Sequence, residues 1–530
     1  MYLILVQKCS CNPGHFTFYP RAMRILFYLL LIWLPSLGYS QKYDYIWITG
    51  DDNNLSDTTR GGAIIDFNQS PIQTHYHYRE LNMSISNSSI CDTSGQLLFY
   101  TNGCDIAGGN DQVLFNGEGI NPGIWHTILC DQNDDGYGSG YAGILTVPKP
   151  DSQNVFYIFH QSVKYGNIPV EYAFVDKLLY TVVRHTEEGT KSLIIEEKNI
   201  ELMVDSLALG EMNSVKHGNG KDWWLIQPRR NSNQYYIFLL TNEGIIDTLI
   251  QTIGSIPPIN EEGLGQTAFS SDGSVMARFF PNNPVSLYYF NRLTGCFSGV
   301  TAIDINYGSD WAFEGGCAFS PNGRFLYIAA LLNIYQFDLT AVDVSATQTT
   351  VAKWDGVIDP IIITFLKCQL GPDCKIYILG GGDTRYYHII HNPDEQGFAC
   401  NVEQRGLVLP TPSGASIPYF PNYRLGPIDN PGLPCSPIVA TNQPAISLRD
   451  DVRVWPNPAT SQLSFTFSST FQGKKSLRLF DMFGHLMKEV YISVNSEDFT
   501  LSVNDITPGL YFWEISCENG LSKRGRLIVH

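Results

Sequence analysis

A short pattern recurs six times along this chain of 530 residues. In its clearest copy, residues 319–330, the turn Ser-Pro-Asn-Gly precedes the apolar run Phe-Leu-Tyr-Ile-Ala-Ala, and a second apolar run begins at Asn333. Pro at the second turn position and Gly at the fourth favour a type I turn. Short aromatic and β-branched runs bounded by turn residues predict strands. The other copies contain the turns at residues 91–95, 150–154, 217–222, 269–274 and 370–374.

The spacing of these copies, about 50 to about 66 residues, is typical of a β-propeller. A blade has two apolar faces that it cannot bury alone, and stacking blades in a ring buries both. Residues 325–330 fit this arrangement, because neither alternate set of side chains is polar. Six copies and the unmatched strand 43–49 predict seven blades, with that N-terminal strand closing the last blade. The alternative is two stacked sandwich domains.

The composition supports an all-β protein. Aromatic residues make up 13% of the chain and charged residues only 16%, together with 47 Gly and 29 Pro, which favours many short strands over helices. No apolar run is long enough to span a membrane as a helix. The formal net charge of −17 argues against a nucleic-acid partner, which would require a basic surface.

The N-terminus has the pattern of a secretory signal peptide. An apolar run at residues 25–34 follows Arg21 and Arg24, and Gly38-Tyr39-Ser40 supplies the small residues expected at a cleavage site. We therefore predict that residues 1–40 are removed and that Met23 is the true start. Removal of residues 1–40 deletes three basic residues and no acidic residue, which changes the net charge from −17 to −20.

The C-terminal part is separated from the propeller by a change in composition. We predict a propeller over residues 41–426, a Pro-rich linker over 427–451 and a compact β-sandwich over 452–530. The alternation of Leu463-Ser-Phe-Thr-Phe467 is typical of a half-buried strand.

Residues 452–530 closely resemble the C-terminal sorting domain, subtype A, of the type IX secretion system. Four motifs occur in the family's order: Val454–Ala459, Leu477–Leu486, Ile506–Tyr511 and Ser522–Val529. The resemblance implies export across the outer membrane, contact with the translocon, and removal of the domain by a sortase-like protease, with release or attachment at the cell surface. The motif residues that carry it include Pro456, Asn457, Pro458, Gly484, Pro508, Gly509, Leu510 and Tyr511.

Most of residues 41–426 also resembles a family of large exported propeller proteins of Gram-negative bacteria. The stretches 97–103, 223–226 and 418–426 carry this resemblance. Because these motifs are structural, they imply a fold and no particular chemistry.

The cysteines are consistent with export. Several lie close in sequence and form candidate disulfide pairs in an oxidising compartment. The candidates are Cys91 with Cys104, Cys296 with Cys317, Cys368 with Cys374, and Cys400 with Cys435. The sequence does not determine their connectivity. It gives no obvious partner for Cys130 or Cys517, and buried free thiols are the alternative.

Calcium is the one cofactor that the sequence suggests. Asp131, Asn133, Asp135 and Gly136 match the first half of a calcium-binding loop, in which alternating oxygen ligands converge on the ion. The Glu expected at position twelve is Ala142, so an acidic Gly-rich turn is the alternative. A second acidic loop, residues 51–57, lacks ligand spacing and is interpreted as solvated.

Other polar and aromatic groups have two interpretations. His75 and His77 would share one face of a strand as half of a zinc site, or decorate a strand edge. Four aromatic pairs would either stack on sugars or fill the blade cores. These are Trp223-Trp224, Tyr235-Tyr236, Tyr288-Tyr289 and Tyr386-Tyr387.

Two classes of function remain compatible with the sequence. The first is a secreted or surface-attached binding or adhesion protein for a glycan, a protein or a surface component. The second is an extracellular hydrolase of polysaccharide or peptide, with carboxylates such as Glu261, Glu262 and Glu314 at the channel of the propeller. No Gly-x-Ser-x-Gly motif or phosphate-binding loop is present. Two or three acids clustered with an exposed aromatic at the channel mouth would favour the enzyme, and a channel plugged by apolar side chains would favour binding.

Overall fold

The computed structural model describes a defined subset of the chain. The described residues are 41–51, 59–79, 81–83, 85–133, 135–166, 172–186, 193–257, 263–310, 312–432, 434–435, 452–455, 459–467, 473–481, 485–493, 496, 498–517 and 522–529. The chain divides into two compact units, Met1–Ile438 and Val439–His530. The predicted signal peptide, the acidic residues 52–57, Glu261, Glu262, Pro456, Asn457, Pro458, Gly484 and linker residues 436–451 lie outside the described residues.

Within the described residues, the first unit contains seven antiparallel sheets, each made of strands that follow one another in sequence. These sheets are the blades, numbered one to seven in chain order. Blades one and two have three strands, and blades three to seven have four. The strands are β1 Ile46–Gly50, β2 Gly62–Asp66, β3 Gln73–His77; β4 Ser88–Cys91, β5 Leu97–Thr101, β6 Ile106–Gly108; β7 Ile144–Pro148, β8 Val155–Gly166, β9 Tyr172–His185, β10 Leu193–Leu207; β11 Asn213–Lys216, β12 Trp223–Pro228, β13 Gln234–Thr241, β14 Gly244–Thr252; β15 Gln266–Phe269, β16 Val275–Phe279, β17 Val285–Asn291, β18 Cys296–Ile303; β19 Gly316–Phe319, β20 Phe325–Ala330, β21 Asn333–Asp338, β22 Thr349–Lys353; β23 Cys368–Leu370, β24 Ile376–Leu379, β25 Tyr386–Ile390 and β26 Val402–Val408.

In the described residues of this unit, the helices are short segments between strands. An α-helical turn, Ile124–His126, continues into a π-helix, Thr127–Gln132, between blades two and three. Two 3₁₀ turns, Ser345–Thr347 and Gly397–Cys400, lie in blades six and seven.

Each copy of the sequence repeat is the hairpin turn between the first two strands of a blade, from blade two to blade seven. A side chain inside the turn caps it: Asp92, Asp272 and Asn322 each accept a hydrogen bond from the backbone N–H two residues later, at 2.8–3.0 Å. Local capping by Asp and Asn explains why the turn is recognisable in sequence although the flanking strands vary.

Contacts between successive blades form a complete circuit. One contact from each interface, in chain order, is Ser89 Oγ to Ile46 O (3.1 Å), Ser88 Oγ to Thr146 Oγ1 (2.8 Å), Gln161 Nε2 to Gln227 Oε1 (2.8 Å), the rings of Tyr235 and Tyr288 (5.3 Å), Cys317 Sγ to Gln266 O (3.4 Å) and Tyr327 Oη to Pro393 O (2.8 Å). Blade one meets blade seven through the rings of Trp47 and Tyr377, whose centroids are 5.3 Å apart. The fold is therefore a closed β-propeller.

The closure differs from the one predicted. The N-terminal strand does not join the last blade, because it pairs with β2 in a blade of its own, Gly50 opposite Gly62. Instead, the chain that follows blade seven returns to it. Gly50 N and Thr49 Oγ1 both donate to Ser413 O, at 3.0 and 2.8 Å, and the two ends of the propeller segment thereby meet.

The returning segment continues to bind the ring beyond residue 426. Arg424 forms two 2.7 Å hydrogen bonds to the carboxylate of Asp44, and both side chains are buried. Ile428 N donates to Gly218 O at 3.0 Å, and Cys435 is disulfide-bonded to Cys374. The first residues of the predicted linker are thus attached to the propeller.

The second unit contains two sheets in the described residues and has the layers of a β-sandwich. One sheet has the order β27-β28-β31 and the other β30-β29-β32-β33. Leu463, Phe465, Leu477 and Ile515 belong to the shared core between them. The strands are β27 Val452–Trp455, β28 Gln462–Phe467, β29 Lys475–Phe480, β30 Leu486–Ile492, β31 Asp498–Ser502, β32 Gly509–Cys517 and β33 Ser522–Val529.

Candidate functional site

The centre of the ring is filled by side chains. The Tyr141 hydroxyl, which comes from the segment leading into blade three, lies 3.3 Å from Cys368 O in blade seven. Gln266 Nε2 of blade five donates to the same carbonyl at 2.6 Å. The ring of Tyr419 lies 5.6 Å from that of Tyr141, and its hydroxyl binds Asn213 of blade four. All of these side chains are buried, so the channel is plugged at this level.

The carboxylates near this centre are held in ion pairs. Glu314 Oε1 lies 3.5 Å from Lys367 Nζ, which also donates to three backbone carbonyls. Burial lowers the pKa of Lys367, and the nearby Glu314 opposes that shift. Glu211 forms a buried 2.6 Å pair with Arg278. Among the described residues, the centre therefore lacks the pair of free carboxylates that a glycosidase requires.

The aromatic pairs are mostly core. Trp223, Trp224, Tyr235, Tyr236 and Tyr387 are buried. Tyr386 is half-buried, and Tyr289 is 41% exposed, whereas its neighbour Tyr288 is 1% exposed. Tyr288 and Tyr289 point to opposite faces of β17, as successive strand residues do. Tyr288 therefore belongs to the blade core, and the ring of Tyr289 is open to solvent.

Tyr289 lines a cavity of about 770 Å³ between blades five and six, which we call the inter-blade groove. Its floor contains the apolar residues Leu287, Ile303 and Phe319. Its polar lining consists mostly of short hydroxyl and carboxylate side chains: Ser270, Ser271, Asp272, Ser274, Thr301, Thr340, Asp343 and Ser345. The hydroxyl of Tyr289 lies 3.3 Å from Thr301 Oγ1, which fixes the ring against the wall.

Asp272 is an ionised acceptor in this groove. Burial acts to raise the pKa of its carboxyl group, but hydrogen bonds from Ser274 and Ser270, with the charge of Arg292, outweigh burial and place the pKa below its usual range. Oδ1 accepts from Ser270 Oγ at 2.7 Å and from Ser274 Oγ at 2.8 Å. The groove thus combines a rigid carboxylate, several hydroxyls and one exposed aromatic face.

The disulfides differ from the pairs expected from proximity in sequence. Cys104 is bonded to Cys130, and Cys374 to Cys435. Cys91, Cys296, Cys317, Cys368 and Cys400 are free thiols. Cys91 is buried beside β1, and its strand does not bring it to Cys104, whereas the π-helix carries Cys130 to that residue. Proximity in the fold, which strand order determines, decides the pairing.

The predicted calcium ligands lie at the end of the same π-helix. Asp131 is in its last turn, Asn133 follows it, and Asp135 N donates to Leu129 O at 3.0 Å. Asp131 is mostly exposed and approaches His126 Nε2 at 3.5 Å. The calcium site stays a prediction. Ligand atoms of Cys104, His126 and Cys130 lie within 4.8 Å of one another, but zinc requires thiolates and these sulfurs form a disulfide.

The two histidines of β3 have different surroundings. His77 Nε2 lies 3.0 Å from a carboxylate oxygen of Asp111, which also accepts from the Tyr100 hydroxyl at 2.9 Å. Burial lowers the pKa of His77 despite that carboxylate. His77 therefore connects the edges of blades one and two, and His75 is exposed beside it.

The described sorting-motif residues occupy the start of β32. Pro508 and Gly509 are exposed, and Leu510 continues the strand. Tyr511 is buried, and its hydroxyl donates to Thr507 O at 2.7 Å. This hydrogen bond fixes the turn that precedes the strand.

A family model of the secretion system C-terminal sorting domain matches residues 453–530. This match implies export through the type IX system, interaction with its machinery, and delivery to the outer surface or the medium. Among the described residues, no helix combines the length and apolar composition needed to cross a membrane.

Similar solved structures include several propellers. The Cps50 (Swd1) β-propeller domain of Myceliophteria thermophila is 10% identical, with 63% of this chain and 93% of that chain covered and a TM-score of 0.34. Saccharomyces cerevisiae Sqt1 is also 10% identical, with 62% and 76% covered and a TM-score of 0.32. The extracellular domain of a putative one-component system from B. thetaiotaomicron is 12% identical, with 89% and 62% covered and a TM-score of 0.28. Among curated proteins, none matches this chain.

Proposed function

We propose that this chain is an exported binding protein whose propeller recognises a glycan in the inter-blade groove. The observation that carries the proposal is the exposed ring of Tyr289 in a groove whose apolar lining is interspersed with hydroxyls and two carboxylates. Sugars present an apolar face that stacks on aromatic rings and hydroxyls that exchange hydrogen bonds with Ser, Thr and Asp. The volume of about 770 Å³ is within the range of small-molecule sites.

The plugged ring centre supports binding over hydrolysis. Tyr141, Tyr419 and Gln266 are buried at the centre of the ring, and Glu314 is paired with Lys367. In the inter-blade groove, Asp272 is ionised and held by hydroxyl groups. It is suited to accept hydrogen bonds from a ligand, whereas a general acid would need a raised pKa.

A glycan array probed with the full secreted chain tests this proposal. We expect binding to one class of glycan, and a loss of about tenfold in affinity for Tyr289→Ala, because the stacking face is removed. Phe398→Ala is the matched control, since Phe398 is an exposed aromatic residue of blade seven outside the groove. Equal glycan affinity of Tyr289→Ala and the unchanged protein would contradict the groove assignment, and turnover of an array glycan would contradict a purely binding role.

We also propose that the sandwich directs the chain through the type IX system and that a sortase-like protease then removes it. The support is the family match at residues 453–530 together with the exposed Pro508 and Gly509 in the motif. Deletion of residues 452–530 should retain the propeller in the periplasm, which cell fractionation measures. Normal surface delivery of that truncated chain would refute the sorting role.

A further inference from the structure

A second cavity of about 350 Å³ lies among the first hairpin turns of blades two, three and four. We call it the lysine pocket, because Lys149, Lys216 and Lys221 all line it. Thr93, Ser152 and Gln153 add hydroxyl and amide groups. Three lysines around one cavity are unusual in a chain with only 34 basic residues and a net charge of −17.

Lys216 is the most buried of the three, with 6% of the residue exposed. Its Nζ donates to Gln41 Oε1 at 3.1 Å and lies 5.4 Å from the centre of the Trp223 ring. Within the described ranges, no carboxylate forms an ion pair with it. A buried ammonium group without a counter-charge is costly, and an anionic partner from outside the chain would offset that cost.

Two other charges around the pocket are compensated by carboxylates. Arg424 is held by Asp44, and Lys221 Nζ lies 2.8 Å from Oδ1 of Asp151, which also lines the cavity. Arg292, which is outside the lining, donates to the Lys216 carbonyl at 2.8 Å, and burial lowers its pKa although the charge of Asp272 opposes that shift. Of the three lysines that line the cavity, Lys216 is therefore the buried one without a carboxylate partner among the described residues, and Lys149 lines the same cavity.

We propose that the lysine pocket binds a small hydroxyl-bearing molecule through an oxyanion, a carboxylate or phosphate, that accepts a hydrogen bond from Lys216 Nζ. The hydroxyl and amide groups of Thr93, Ser152 and Gln153 are placed to bind the rest of the ligand. A charged donor in a partly desolvated pocket binds an oxyanion more strongly than a surface lysine does. This site is separate from the inter-blade groove and does not depend on it.

The titration of Lys216 gives the site a characteristic pH dependence. Burial, followed by repulsion from Arg292 and Arg424, lowers its pKa to about 7. The other titratable groups that face Lys216 do not share this low pKa. The pKa of Tyr43 is raised to about 12, and Asp44 is paired with Arg424. Since only the protonated amine attracts an anion, the affinity should fall at least tenfold between about pH 6 and about pH 9.

Isothermal titration calorimetry on the full secreted chain tests the proposal with four probes. D-glucuronate and glucose 6-phosphate carry the two oxyanions on a sugar, inorganic phosphate is the anion alone, and D-glucose is the neutral control. We expect one or both sugar anions to bind near pH 6 and D-glucose not to bind. The sugar anion that binds more tightly identifies the preferred oxyanion. Binding of D-glucose equal to that of both sugar anions, or no binding of any anion, would overturn the proposal.

Substitution of Lys216 distinguishes a role in ligand binding from a purely structural role. Lys216→Met should reduce sugar-anion affinity at least tenfold and raise the Tm, because it removes an uncompensated buried charge. Lys353→Met, at an exposed lysine, is the matched control and should change neither quantity by much. Unchanged affinity in Lys216→Met would contradict the assignment. If that variant does not fold, the pH dependence of the unchanged protein decides the same question.

Discussion

Strand β20 of blade six is buried at all six positions, whereas β28 of the sandwich alternates between buried and more exposed positions. The first strand packs against neighbouring blades on both faces, and the second has one core face and one solvent face. In a ring, each sheet is covered by the next, so both side-chain sets must be apolar. A two-layer sandwich covers each sheet once, and alternation is the result.

The largest loss of stability should follow substitutions in β20, the strand that is covered on both faces. Leu326 and Tyr327 are neighbours on opposite faces of β20, and both are fully buried. Leu326→Ala should cost about 2–5 kcal/mol and Tyr327→Ala about 3–5 kcal/mol of unfolding free energy, measured by denaturant titration. Tyr327→Ala also removes the hydrogen bond to Pro393 O. If either substitution were nearly neutral, one face of the blade would not be covered.

Substitutions in the sandwich strand β28 should destabilise the protein at alternate positions only. Leu463 is fully buried, while its neighbour Gln462 is exposed. Leu463→Ala should cost about 2–5 kcal/mol, and Gln462→Ala less than about 0.5 kcal/mol. Hydrogen exchange of peptides from residues 459–467 reports this unit separately from the propeller. Similar costs at both positions would remove the distinction between the two units.

The disulfide that ties the returning segment to blade seven should have an intermediate effect. Cys374 and Cys435 close a loop of 61 residues. Replacing both by Ala should destabilise the propeller by about 2–4 kcal/mol, because the unfolded chain gains freedom. Cys296→Ala, at an exposed free thiol, is the control. A double variant as stable as this control would show that the segment does not hold the ring closed.

Acid should weaken the propeller through His160. Its ring is fully buried between Asn121 Oδ1 (2.6 Å) and Thr181 Oγ1 (3.0 Å), and burial lowers its pKa to about 3. Because the unfolded state takes up a proton near pH 6.5 and the folded state does not, this contribution is complete above pH 6.5 and is lost progressively toward pH 3.

At about pH 5, the loss should be about 2 kcal/mol. Comparing the pH dependence of unfolding in the unchanged protein and in His160→Gln isolates the contribution, since glutamine does not titrate in this range. If the unfolding free energy had the same slope against pH in both proteins between pH 6.5 and pH 4, the contribution of His160 would be refuted.

The repeat and the alternation of the sandwich strand were readable from sequence because they are local. The turn at residues 320–323 is defined by neighbouring residues, and so is the period of β28. The closing of the ring was not readable, since Ser413 meets Gly50 only after seven blades have formed. The partner of Cys104 was missed for the same reason: Cys130 lies in a helix with no strand signal.

The candidate sites show the same limit. A period of two predicts that Tyr288 and Tyr289 point in opposite directions, but it does not say which one is exposed. The burial of Lys216 is not visible in the sequence, because it depends on Gln41, far away in the chain, as well as on its cross-strand neighbour Trp223. The sequence offers only one hint, a lysine at the end of a short strand next to a hairpin turn.

The seam between blade one and the returning segment is the place where the closed ring is tested most directly. Residue-resolved hydrogen exchange of the Gly50 amide, which donates to Ser413 O at 3.0 Å, measures whether that seam is shut in solution. We expect this amide to exchange as slowly as that of Ile328 inside blade six. Fast exchange at Gly50 while Ile328 stays protected would contradict a closed ring, because the blades would then form an open row.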